Sequence, residues 1–176
     1  MRLVKTLPIL LGLGAALGSV SAWALPNDSQ QPIHISADDA QLDDKKGVAT
    51  YTGDVIITQG SMIVKGNTVT LTRNAAGEID VVTSVGNLAY FEQLQKQTDP
   101  TPVKGYAVTI QYHAQQNRIV LIDKAKVIND GNTTEGEKIV YDTVKQIAQA
   151  GRANGSKVTQ QRPRIDMVIQ PKKKAE

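Results

Sequence analysis

Ala49-Thr50-Tyr51-Thr52-Gly53-Asp54-Val55-Ile56-Ile57 is the stretch that decides the fold. Ala49, Tyr51, Gly53, Val55 and Ile57 form one row, and Thr50, Thr52, Asp54 and Ile56 the other. The first row is mostly apolar and the second mostly polar, which is the period of a half-buried strand. The same period recurs in Val69-Thr70-Leu71, in Val108-Thr109-Ile110-Gln111-Tyr112 and across 119–127. Val, Ile and Thr dominate these runs, as the pleated surface of a sheet favours. The nearest candidate for a helix is 137–150, and its β-branched residues and Tyr141 read as strand instead. Turn signals separate the runs at Lys46-Gly47, Gln59-Gly60, Lys65-Gly66-Asn67, 74–77, Asp130-Gly131-Asn132 and Asn154-Gly155. A turn every roughly 8–12 residues is the rhythm of sandwiches, rolls and stacked hairpins. The chain is therefore all-β. One interruption stands out: 92–104 is polar and holds Pro100 and Pro102, so it reads as a loop or a break between two halves.

The halves resemble each other. With an offset of 70 residues, Ala37 meets Ala107, Leu42 meets Tyr112, Gly47 meets Asn117 and Tyr51 meets Leu121. Val55 then meets Ala125, Ile57 meets Val127, Gly66 meets Gly136, Val69 meets Ile139 and Leu71 meets Tyr141. Such a repeat implies hairpin units stacked along one axis, each covering its neighbour's apolar row. A stack of this kind is open at both ends, and each end offers unpaired N–H and C=O groups to another strand. Ile33, His34 and Ile35 fall near one end, and Ile165, Met167, Val168 and Ile169 near the other. A first edge that pairs with a last edge gives head-to-tail self-association.

The start of the chain supplies an address. Arg2 and Lys5 precede an apolar run at 7–17, and small residues end in Ala22-Trp23-Ala24. That is the pattern of a cleavable secretory signal. The expected organisation is a signal peptide at 1–24, a polar flexible arm at 25–32, one domain at 33–170 and a basic tail at 171–176. Removing 24 of the 176 residues leaves 152, enough for one core. Removing Arg2 and Lys5 leaves 18 basic against 17 acidic residues, so no general field attracts nucleic acid. There is no cysteine, which excludes thiol catalysis, thiolate metal sites and disulfide staples.

Other chemistry is equally sparse. The two histidines, His34 and His113, read as ordinary strand residues. No nucleophile elbow, Walker glycines or dinucleotide fingerprint is present. Asp38, Asp39, Asp43 and Asp44 form an acidic cluster that could serve acid–base work or calcium, but they flank a turn at 45–47, where solvated Asp is common. No cofactor and no metal is expected, and the chain does not read as an enzyme. Aromatic residues are few and the apolar rows aliphatic, which suits aliphatic chains better than bases or sugars.

Several runs, taken in order, resemble the periplasmic lipopolysaccharide-bridge family (LptA/OstA-like), most of all its pseudomonad branch. They are Gln31-Pro32-Ile33-His34-Ile35, Tyr51-Thr52-Gly53-Asp54-Val55-Ile56-Ile57-Thr58-Gln59-Gly60 and Gly86-Asn87-Leu88-Ala89-Tyr90-Phe91. Val120-Leu121-Ile122-Asp123-Lys124-Ala125-Lys126-Val127 and Gly136-Glu137-Lys138-Ile139-Val140-Tyr141 continue the match in the second half. The resemblance implies a single β-jellyroll of stacked antiparallel strands, open at both ends, with an apolar interior groove. It implies head-to-tail copies between an inner-membrane-anchored jellyroll relative and the periplasmic domain of an outer-membrane translocon. Lipid A acyl chains of lipopolysaccharide would slide along the groove, driven by an inner-membrane ATPase. Family lining positions fall on Ile33, Phe91 and Tyr112; a further one falls on Ala114, smaller than usual, and is set aside.

Alternation extends this set. If Tyr51 faces inward, so do Val55 and Ile57, and the repeat adds Ile119, Leu121 and Val127. Val69, Leu71, Ile139 and Tyr141 follow, Ile35 joins Ile33, and Ile110 joins Tyr112. The same residues would equally fill a closed core. The competing functional reading is a structural periplasmic adaptor that joins membrane complexes by strand pairing without binding lipid. A membrane-anchored relative of the same fold would keep its N-terminal segment, and a hydrolase would depend on Asp43 and Asp44.

Overall fold

The computed structural model describes residues 28–96, 99–152 and 164–171. The expected signal peptide, residues 25–27, the Asn154-Gly155 turn and Lys172, Lys173 and Lys174 lie outside the described residues. Ten strands are described: β1 (Ile33–Ser36), β2 (Asp39–Asp43), β3 (Val48–Gln59), β4 (Met62–Arg73), β5 (Ile79–Lys96), β6 (Asp99–His113), β7 (Arg118–Asn129), β8 (Asn132–Asp142), β9 (Ile147–Gly151) and β10 (Asp166–Val168). They form one antiparallel sheet in the order β1-β3-β4-β5-β6-β7-β8-β10; β2 also pairs with β3, and β9 with β8. Helix is confined to single 3₁₀ turns at Asp28–Gln30 and Ala114–Gln116 among the described residues.

The central strands, β3 to β8, are long, and β3 to β7 are bulged at mid-length. Register shifts fall between Thr52 and Val55 in β3, Lys65 and Thr68 in β4, Val85 and Ala89 in β5, Tyr106 and Thr109 in β6, and Ile122 and Ala125 in β7. Because these positions are neighbours across the sheet, the bulges line up as a crease. A bulge bends its strand, so a row of them folds the whole sheet over. Left-handed backbone marks the crease at Gly53 and Asp54 (φ 81° and 40°) and at Asp123 and Lys124 (φ 63° and 54°). At Gly53 no side chain fits, since a Cβ would stand 2.1 Å from Asp38 Oδ2. The crease divides the sheet into two walls that face each other. The Phe91 ring on one wall lies 6.2 Å from the Tyr112 ring on the other. A Cβ at Gly105 would come 2.9 Å from Leu121 Cδ2 across the same gap.

The repeat is present in full register. All ten pairs between β3 and β4 recur seventy residues later between β7 and β8: Val48–Thr72 becomes Arg118–Asp142, and Gln59–Met62 becomes Asn129–Asn132. The left-handed residues also repeat, Gly47 with Asn117, Gly53 with Asp123, and Gly60 with Asp130. The pairings of β1 and β2 with β3 correspond in the same way to those of β6 with β7, so β1 and β2 are the two halves of one interrupted strand.

Two expectations are corrected. The stretch 92–104 is neither loop nor break, because Glu92 pairs with Lys104, Gln93 with Val103 and Leu94 with Pro102. Val103 is buried there and anchors the hairpin. The prolines are tolerated because β7 reaches β6 only as far as Lys104, so no described strand flanks their other side. The arm expected at 25–32 is fixed from residue 28 onward. The Asp28 carboxylate accepts hydrogen bonds from Ser61 N–H (2.8 Å), Ser61 Oγ (2.7 Å) and Gln93 Nε2 (2.7 Å). Gln59 Nε2 adds a bond to the Gln31 carbonyl at 3.1 Å.

Candidate functional site

The space between the walls is the candidate site. All fifteen residues assigned inward lie in it or against it. Val55, Ile57, Val69, Leu71, Phe91, Ile110, Tyr112, Ile119, Leu121, Val127, Ile139 and Tyr141 belong to the buried apolar cluster, and Ile33, Ile35 and Tyr51 pack against it partly buried. The only buried polar residue among those described is Ser84, whose hydroxyl donates to the Lys65 carbonyl at 2.9 Å. The buried cluster between the walls is therefore almost wholly apolar.

Along one side the walls part. A cavity of about 710 Å³ opens between the rows of hairpin turns. Ser29, Gln59 and Met62 border it on one wall, and Glu78, Tyr112, Gln115 and Asn117 on the other. Of the residues assigned from sequence, Ile33, Ile57, Leu71 and Tyr112 line it. A smaller cavity of about 160 Å³ continues past Ile33, Leu71 and Ile79 to Ile35 and Tyr51. The remaining inward residues pack in the core and line neither cavity. Tyr112 is 8% exposed. Burial, and then the Asp28 carboxylate, pushes its hydroxyl pKa up, so it stands neutral in the slit.

Met62, Ile79, Val82 and Ala114 also line the larger cavity, and sequence reasoning passed over them. For Met62 and Val82 the reason is parity. A bulge inserts residues, so the inward row shifts from Met62 and Val64 to Val69 and Leu71 in β4, and from Val82 and Ser84 to Ala89 and Phe91 in β5. Ala114 was set aside for its size, yet it follows Tyr112 into the slit.

The acidic cluster is not brought together as a centre. Asp43 closes its own turn, accepting from Lys46 N–H at 3.1 Å and pairing with Lys46 Nζ at 3.1 Å. No group of three His, Asp or Glu side chains suited to a metal occurs among the described residues. His113 ends β6 beside Arg118, and His34 is exposed on β1.

The edge residues stand where the repeat put them. Within the described residues β1 pairs only with β3, and β10 only with β8. Ile33 and Ile35 turn their side chains toward the core, while His34 turns outward. Ile165, Met167, Val168 and Ile169 are all exposed, Ile169 at 74%.

The described strands thus form a creased, open antiparallel sheet around an apolar interior. The chain belongs to the family described as LptA/(LptD N-terminal domain) LPS transport protein, whose pattern matches residues 34–147. It is 63% identical over 176 residues, the full length of both chains, to the lipopolysaccharide export system protein LptH of Pseudomonas aeruginosa. It is 32% identical to the lipopolysaccharide export system protein LptA of Escherichia coli K12, over 88% of this chain and 83% of that one. The crystal structure of Pseudomonas aeruginosa LptH, the LptA-homologous periplasmic component of the conserved lipopolysaccharide transport device, superposes with a TM-score of 0.76. That match has 61% identity and covers 83% of this chain and all of the other.

Proposed function

We propose that this chain is a periplasmic lipopolysaccharide carrier that shelters lipid A acyl chains between its walls and passes them along a bridge. The observation that carries the reading is the slit: a buried apolar cluster beside a cavity of about 710 Å³ whose floor includes Ile57, Leu71, Val82 and Tyr112 and whose rim carries polar residues and Glu78. Acyl chains can lie inside while sugars and phosphates stay in water. Burying a 12-carbon chain gains roughly 10 kcal/mol over water, at about 0.8 kcal/mol per CH₂. Relative to a membrane the gain is near zero, so a groove of this apolarity neither traps nor rejects its cargo. The chain carries no nucleotide-binding motif, so direction is imposed by a partner.

The family membership and the two sheet edges that are unpaired among the described residues support the rest of the reading. A cleavable signal exports the chain. The β1 edge, with Ile33, His34 and Ile35, and the β10 edge, with Ile165, Met167, Val168 and Ile169, join copies head to tail. The terminal edges dock on an inner-membrane-anchored jellyroll relative and on the periplasmic domain of the outer-membrane translocon. The exposed edges equally suit a structural adaptor that binds no lipid. Titration of the purified mature protein with lipopolysaccharide carrying a fluorescent acyl chain separates the two. Saturable binding that Tyr112→Asp abolishes, with the circular dichroism spectrum retained, supports the carrier, because an unpaired charge in the slit is costly. Equal signals from both proteins, or none from either, support the adaptor.

A further inference from the structure

The two repeats are not equivalent at the slit. Leu71 and Tyr141 occupy the same repeat position, opposite Ala49 and Ile119 respectively. In the first repeat Leu71 lines the open cavity together with Gln59. In the second, the Tyr141 hydroxyl reaches the opposite wall. It accepts a hydrogen bond from Gln95 Nε2 and another from Asn129 Nδ2 at 3.5 Å. Asn129 is the repeat partner of Gln59, so the exchanges of leucine for tyrosine and of glutamine for asparagine accompany the change from an open seam to a bonded one.

We infer that the acyl chain enters through the first-repeat section of the slit, and that Tyr141, Gln95 and Asn129 form a latch that holds the second-repeat section shut until the chain advances. This deepens the carrier reading and rests on it. Position supports the role: Tyr141 lies beyond the crease on one wall, one residue before the end of β8. Gln95 and Asn129 stand at the far ends of β5 and β7 on the other. Burial raises the Tyr141 pKa, so its hydroxyl stays protonated and neutral while closed. The latch consists of neutral hydrogen bonds, which are individually weak and therefore reversible. Among the described residues the cavity separates Leu71 from Gln59 in the first repeat, and it extends along the Tyr112 wall to Asn117 and Val144 of the second, short of Tyr141. An amphiphile arriving there meets an open slot, and one that advances to Tyr141 meets a closed seam.

Two measurements on the mature protein test this. Spin labels at Asp130 and Val144, on the two lips of the second repeat and outside the latch, report its width. Tyr141→Phe, which keeps the ring, and Gln95→Ala, which leaves Tyr141 untouched, should each lengthen and broaden that distance. The double variant should go no further than either alone. Unchanged distances in both single variants would overturn the latch. The second measurement places a leucine-sized diazirine amino acid at Leu71 or at Leu121 and adds lipopolysaccharide. Adducts at Leu71 in the parent chain, and at Leu121 only once Gln95→Ala is present, support ordered entry. Equal adducts at Leu121 in the parent chain overturn it. Adducts at neither position in any variant would instead reject the carrier reading, while the spin-label distances still judge the latch.

Discussion

Leu121 and Gly105 show how closely the two walls are fitted. Leu121 is buried, and its Cδ2 already occupies the space that a Cβ on Gly105 would need. Leu121→Ala should cost about 2–5 kcal/mol, from lost transfer energy and the cavity left behind. Gly105→Ala should cost about 1–3 kcal/mol by overpacking. Because each change relieves the other, the double variant should cost less than the sum, which urea denaturation of the four proteins would read. Full additivity would mean that the walls do not touch there. His113 offers a pH signature. Burial, and then Arg118, lowers its pKa from the ordinary value of 6.5, with Asp80 opposing. The unfolded chain therefore binds the proton first, so this contribution is present above pH 6.5 and fades as pH falls through and below it. His113→Gln should flatten that part of a stability–pH profile and leave the profile above pH 7 unchanged.

At the scale of the strand, alternation carries information only as far as the next bulge. The rows through Tyr51, Val55 and Ile57, and through Leu121 and Val127, are readable in sequence because the inserted residues of β3 and β7 preserve parity. In β4, β5 and β6 the parity flips at the crease, so one half of each strand could be phased and the other half could not. Met62, Val64, Val82, Val103 and Ala107 are buried for that reason without having been assigned inward. Turn chemistry misled at 92–104, where two prolines suggested a break, because an unflanked strand segment tolerates proline and sequence does not reveal which segments are unflanked. The repeat was legible because corresponding residues keep the same pairing. It also yields a stability test at the crease. Gly53→Asp, the residue its repeat partner carries, should cost more than about 1 kcal/mol, since a left-handed non-glycine residue is strained and its Cβ collides with Asp38. Asp123→Gly should be nearly neutral in thermal denaturation: relief of about 1 kcal/mol of strain is offset by about 0.5–1 kcal/mol of added unfolded-state entropy. Equal effects from the two changes would contradict the account of the crease.

For the whole molecule, a folded but unclosed sheet leaves an edge at each end among the described residues, and the proposed bridge uses both. Both edge strands are interrupted, β1 from β2 and β9 from β10, and the last one is only three residues long with every residue exposed. Truncation after Arg164 removes that strand without touching the buried cluster. The shortened protein should stay folded and lose concentration-dependent growth in light scattering; unchanged growth would refute the edge assignment. The central claim concerns the interior. Its most direct test is photo-crosslinking in cells, with a photoreactive residue at Tyr112 in the slit and a control at Lys65 on the exposed outer face. A lipopolysaccharide adduct at Tyr112 and none at Lys65 is the predicted result. Adducts to protein alone, or lipid adducts equal at both sites, would contradict a lipid path between the walls.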